Sequence, residues 1–468
     1  MRRCCLLLLA ALLLAGCDPK IPNMPVEPGE ALSGGATTIA RQDGRAFRMP
    51  LANLAPEGRL DFAVGNSFFR SPWVIAPSTT TARDGLGPLF NTNACQNCHI
   101  NDGRGHPASV DDSNAVSMLV RVSLPDDAGP PETLAMLGVI PEPTYGTQLQ
   151  DMAVPGAPPE GRVRLEWRSS TVTFADGHIV GLREPRLRID RLGYGALHPD
   201  TRFSVRIAPP MIGLGLLEAI PESAIRANAD PTDSNGDGIS GRPNEVWDLT
   251  DRRTRLGRFG WKAGQPSLNQ QNAHALLNDM GLTTTLLPRD ECSERQIECR
   301  QAPHGGEPEV ADNILASVLF YTRNVAVPQR RDVADSQVLA GKTLFHQAGC
   351  AGCHTPSFTT GPDAAQPELA NQLIWPYTDL LLHDMGEGLA DGRSEFQATG
   401  REWRTPPLWG IGLTEIIGGR SEFLHDGRAR TLLEAILWHG GEATQARDRV
   451  LTFDAEQRAA LLAFLQSL

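Results

Sequence analysis

Residues 350–354 read CAGCH, and residues 95–99 read CQNCH. Two cysteines spaced by two residues and followed at once by histidine suit covalent haem attachment. The thiols reach the two vinyl groups while the histidine comes beneath the iron. A zinc site can use two cysteine pairs and a redox dithiol can use one, but neither needs a histidine directly after each pair. The two motifs, Cys95, Cys98 and His99 with Cys350, Cys353 and His354, therefore point to two covalently bound haem c groups, with His99 and His354 as iron ligands.

Outward from the motifs the chain repeats itself. Residues 208–220 read APPMIGLGLLEAI and residues 405–417 read TPPLWGIGLTEII, with seven identities in thirteen positions. A duplicated haem domain leaves such a trace. Setting FLHDGRARTLLEAILWH (423–439) against FGWKAGQPSLNQQNAHA (259–275) places His425 opposite Trp261 and His439 opposite Ala275. Histidine can bind iron and alanine cannot, so the two halves differ at the position where a second ligand would stand.

At 468 residues the chain has room for two or three domains. Only 6% of residues are aromatic, whereas 46 are Gly and 36 Pro, which predicts many loops around modest helices. The expected fold is mainly α, with two cytochrome c-type haem domains over 54–300 and 301–468. The first motif lies much farther from its PP repeat than the second does. The excess, about 110–205, holds runs such as SMLVRVSL and RLEWRSSTVTFADGHIV, which predict strands and a hairpin about Asp176-Gly177. This is a β-rich insertion in the first domain. The end, FDAEQRAALLAFLQSL, reads as an amphipathic helix covering a haem. A formal charge of −12 counts against a nucleic-acid partner.

The first residues read as an export signal: Arg2 and Arg3, an apolar run too short for a confident membrane span, and small residues before Cys17. That pattern is similar to a bacterial lipoprotein cleavage box. It predicts a signal over 1–17, lipidation of Cys17, a Pro/Gly-rich tether over 18–53, and a protein lipid-anchored on the periplasmic side of a bacterial membrane. In such an oxidising place Cys292 and Cys299, in DECSERQIEC, are expected to form a structural disulfide, with a catalytic dithiol as the alternative. In DPTDSNGDGISGRPNE, Asp233, Asn235 and Asp237 stand at positions one, three and five of a calcium-type loop, with Gly238 at six. Position twelve is Asn244, with Glu245 beside it.

The segments GRFGWKAGQPSL, LLLHDMGEGLADG, EWRTPPLWGIG and FLHDGRARTLLEAILWHGGEA are similar to those of the di-haem oxidoreductase branch of the bacterial di-haem cytochrome c peroxidases and methylamine-utilisation enzymes. The likeness runs from about residue 60 onward. It implies a peroxidase-like oxidoreductase acting on peroxide or another small oxidisable substrate, with a periplasmic electron donor or acceptor protein. In these relatives the residue at the place of His439 is the sixth ligand of the second haem, so that haem is expected to be bis-histidine, with Met385 as competitor, and to relay electrons. The resemblance also implies that Trp261 lies between the haems, and that Gln271 and Asp279 serve the open first haem, although the acid of the peroxidases is Glu and stands two residues farther on. A distal carboxylate suits peroxide heterolysis, which needs a proton taken from one oxygen and returned to the other. His106 and His274 are the other candidates for the first iron's sixth position, and calcium between the haem domains would be in keeping with the peroxidases. Two alternatives stay open: a non-catalytic di-haem electron carrier, and a thiol redox protein using Cys292 and Cys299.

Overall fold

The computed structural model describes residues 23–108 and 117–468; the signal, Cys17 and the first residues of the tether lie outside them. Helix accounts for 31% and strand for 18%, the latter in small sheets. The expectation of a mainly α protein is therefore corrected: the fold is mixed α/β. Among the described residues no helix exceeds 15 residues, whereas strands Arg162–Thr173 and Ile179–Asp190 pair along all 12 residues of each. Among the described residues no helix is long and apolar enough to cross a membrane.

Two helix pairs frame the molecule. Helix Pro56–Arg70 packs on Asp312–Arg323, and Ser336–Ala348 packs on Ala455–Ser467. Each pair crosses at a glycine. A Cβ on Gly65 would stand 2.1 Å from the Ser317 carbonyl oxygen, and one on Gly341 1.9 Å from that of Ala460, so only glycine lets these backbones meet. Because Asp312–Arg323 belongs to the first pair, with Tyr321 against Phe62 and Phe69, the expected domain boundary after residue 300 is too early.

Strands occupy the stretch between the first motif and the first PP repeat. Met118–Ser123 is central, with Gln148–Leu149 on one side and Arg202–Ile207 on the other, all antiparallel. Val120 and Val122 enter the core while Leu119 and Arg121, of the opposite parity, border a cavity. The long hairpin turns at Asp176-Gly177, where Gly177 has φ +86°. Its tip leaves the first half: Phe174 and Leu182 join the core of the second, and Asp176 pairs with Arg458 at 2.8 Å.

Residues 24–53 are not a tether. Phe47 and Leu51 are buried in the main core, and Glu30, 1% exposed, is bound by Arg330 and, at 2.8 Å, by Lys342. The Met24 N–H donates to Thr343 Oγ1 at 2.8 Å, so the segment is fixed to the second half almost from its first described residue.

Candidate functional site: two cavities at the CxxCH motifs

Each motif borders a cavity, about 260 Å³ at the first and about 520 Å³ at the second. At the first, Cys95–Cys98 forms one helical turn, closed by the His99 N–H donating to the Cys95 carbonyl at 3.0 Å. His99 Nδ1–H donates to the Pro209 carbonyl at 2.8 Å, so the first PP repeat orients the imidazole. Burial lowers its pKa to about 4. At the second cavity His354 Nδ1–H donates to the Tyr377 carbonyl at 2.9 Å, and burial again lowers the pKa to about 4. Both rings are thus neutral, held through Nδ1, with Nε2 engaged by no hydrogen bond, the state of a metal-ligating histidine.

His439 has the same arrangement. It follows helix Leu432–Leu437, which Thr431 caps by accepting from the Glu434 N–H, and its own Nδ1–H donates to the Ala435 carbonyl at 2.7 Å. It lines the second cavity with His354, and burial lowers its pKa. Met385 lines this cavity too.

In the first cavity the matching position is Ala275, on helix Leu268–Met280. Ser267 caps the start of that helix, and Gly281, at φ +64°, ends it. Gln271, Ala275 and Asp279 are spaced by four and share a face. All three line the cavity, as do His274 and Trp261. Asp279 Oδ1 accepts from Gln148 Nε2 at 2.8 Å, and burial raises its pKa. Its carbonyl accepts the N–H groups of Asn91 and Thr92, at 2.8 and 3.0 Å, tying the helix to the segment that leads into CQNCH. Burial lowers the His274 pKa to about 4. His106 lines neither cavity; its Nδ1–H turns to the Pro107 carbonyl at 3.2 Å.

Trp261 lines both cavities, with Nε1–H donating to the Ile207 carbonyl at 2.9 Å. Arg104 also borders both, its guanidinium 5.6 Å from the Trp261 ring centre and 5.9 Å from that of Phe423, and its buried Nε and Nη1 have no partner. Burial lowers its pKa to about 10. A buried cation without an acceptor is costly, and the propionates of a bound haem would supply the missing anions. Together with the oriented imidazoles, this orphaned guanidinium shows that the residues fit a haem in each cavity. Burial pushes the Cys95 and Cys350 thiols up to about 12, which is unsuited to a thiolate redox centre.

His383 and Arg121 escaped the sequence reading, and His425 was noted there only as the counterpart of Trp261. His383 is buried, with Nε2 2.8 Å from Asp379 Oδ2 and Nδ1 2.7 Å from Glu442 Oε2, so both nitrogens are taken and two carboxylates hold its pKa well above the ordinary value. Its place in LLLHDMGEGLADG could have drawn attention to it. His425 stacks on Trp403 with centroids 3.7 Å apart and meets the Trp261 ring edge-on at 6.5 Å. Arg121 borders the first cavity from its strand.

In the calcium-type loop the side chains hydrogen-bond to the chain itself. Asp233 and Asp237 accept backbone N–H groups of their own loop, Asn244 is buried and bonded to the Lys262 and Glu395 carbonyls, and Glu245 pairs with Arg226. Asn235 Nδ2 donates to Asp237 at 3.1 Å. Among the described residues no three His, Cys, Asp or Glu side chains converge to hold a metal ion. Cys292 and Cys299 are joined by a disulfide, Cα atoms 5.8 Å apart.

A comparison with curated proteins returns no match. Residues 29–468 match the family described as "di-haem oxidoreductase, putative peroxidase", and with nearly its whole length covered the chain belongs to that family.

Proposed function

We propose that the chain is an exported di-haem c-type cytochrome with peroxidase-like activity, lipid-anchored through Cys17 on the periplasmic side of a bacterial membrane. Cys95 and Cys98 would hold the first haem and Cys350 and Cys353 the second, and His99 and His354 would bind their irons. The single observation that supports this reading best is the contrast between the cavities. His439 stands in the second with Nε2 unengaged, while Ala275 stands at its place in the first, beside the Asp279–Gln148 pair. His354 and His439 together would hold the second haem, which would then serve electron transfer, whereas Ala275 offers no ligand to the first, which would be left free for a small molecule.

Bound haem supplies the electrons and the site at which a peroxide oxygen can be reduced. The residues of the chain do the rest. Asp279 takes a proton from one peroxide oxygen and returns it to the other, while Gln148 fixes the carboxyl through the 2.8 Å hydrogen bond. Gln271 helps hold the peroxide, and Trp261, bordering both cavities, lies on the path between them. Electrons come from a periplasmic donor protein.

Absorption and paramagnetic resonance spectra of the ferric holoprotein, with and without cyanide, test this. One low-spin bis-imidazole signal beside one high-spin, cyanide-binding haem is expected, and the low-spin signal should be lost in H439A. Two low-spin haems that ignore cyanide before and after partial reduction would leave an electron carrier instead.

A further inference from the structure

The Met118–Ser123 strand turns a guanidinium toward the first cavity, and nothing in the second half corresponds to it. Arg121 makes no hydrogen bond or ion pair with any described residue, yet it lies within the electrostatic reach of Asp279, Arg206, Glu395 and Glu291. Arg393 lines the same cavity. It is 2% exposed, donates through Nη1 to Glu395 at 3.0 Å, and has a buried Nε with no partner. Arg206 donates to that same Glu395 carboxylate at 2.8 Å.

The charges do not cancel here. One carboxylate, Glu395, faces two guanidinium groups, and Arg121 adds a third. Asp279, ionised when it accepts a proton, adds a second carboxylate, which still leaves three guanidinium groups to two; the remaining acid, Glu291, is a buried carboxyl bonded to the Thr147 hydroxyl, and burial raises its pKa. A cavity holding an excess of guanidinium charge and an unpartnered buried N–H is short of an anion. Arg104 and Arg404 line both cavities, Arg404 with its guanidinium bonded to the Gly260 and Thr405 carbonyls. Arg121 and Arg393 line the first cavity and not the second, and Arg121 lies within electrostatic reach of Asp279.

We propose that Arg121, supported by Arg393, forms an anion-binding subsite beside Asp279 that receives small monovalent anions, or the anionic oxygen of a small substrate, at the open face of the first haem. This rests on the reading of the first haem as the open one. It adds a substrate-contacting cation from the inserted strand.

The test titrates sodium fluoride and sodium formate into the ferric holoprotein of wild type, R121L and R121K, following the high-spin haem band, with carbon monoxide binding to the reduced protein as the uncharged control. Wild type is expected to bind both anions, R121L at least tenfold more weakly and R121K in between, with carbon monoxide affinity unchanged within twofold. R121K, which keeps the charge, carries the test if R121L fails to incorporate haem. Anion affinities that ignore Arg121 while carbon monoxide still binds would overturn the proposal alone. So would unchanged affinities accompanied by a shifted first-haem potential, which would assign Arg121 to a propionate. If neither anions nor carbon monoxide bind wild type, the open-haem reading falls and takes the subsite with it.

Discussion

In the proposed mechanism Asp279 is the residue that moves the proton. As a proton acceptor it must start ionised, and burial has raised its pKa, so peroxide turnover should fall as pH drops through a value above the ordinary carboxylate range of about 3.9. D279N is expected to lower turnover by about 10² to 10⁴-fold and to abolish that acid limb while haem content stays unchanged, as steady-state rates against pH and absorption spectra would show. Asp102 gives a stability counterpart. It is buried, accepts from the Tyr321 hydroxyl at 2.8 Å, and has a pKa raised by burial to about 7. A group with a raised folded-state pKa contributes stability that is full below its unfolded value, about 3.9, and is lost as pH rises through the folded one. The thermal midpoint of wild type should therefore decline between pH 4 and pH 7 more steeply than that of D102N; equal slopes would remove Asp102 from the account. His99, His354 and His439 were legible because motif and alignment name them. Arg121 was not, because an arginine in an alternating strand reads as an exposed face until the sheet is seen to border a cavity.

At the scale of elements, the glycine crossings decide a sign. Helix propensity alone would have Gly341→Ala stabilise its helix by about 1 kcal/mol. The Ala460 carbonyl 1.9 Å from the new Cβ reverses this, and a net loss of about 1–3 kcal/mol is expected from denaturant unfolding. The disulfide separates two readings of function. C292S/C299S should lose about 2.5 kcal/mol of stability, from the short loop the bridge closes, yet keep peroxide turnover; loss of turnover with the fold intact would restore the thiol mechanism. The strands between residues 118 and 207 could be read in the sequence because alternation and an Asp-Gly turn are local signals. The packing of residues 24–53 could not be read: it depends on Glu30 meeting Arg330 and Lys342, some 300 residues away, and Pro/Gly-rich composition looks alike in a docked loop and a free one.

For the molecule as a whole, Arg104 is the shared element. One unpartnered guanidinium bordering both cavities places a positive charge near both haems, which favours their reduced states. R104L is expected to lower both midpoint potentials by tens of millivolts in a redox titration; a shift in one alone would confine Arg104 to that haem. The inserted hairpin, rooted in one half and anchored in the other, holds the two cavities in register. The docking of Met24 against Thr343 has a consequence for geography. A lipid on Cys17 would be joined to the globular body by seven residues, which span at most about 25 Å. Were Cys17 lipidated as proposed, so short a leash would keep the body at the membrane surface. It would hold the second-haem half against the bilayer in a narrow range of attitudes, leaving the flanks and the far side as the routes by which a soluble redox partner could dock.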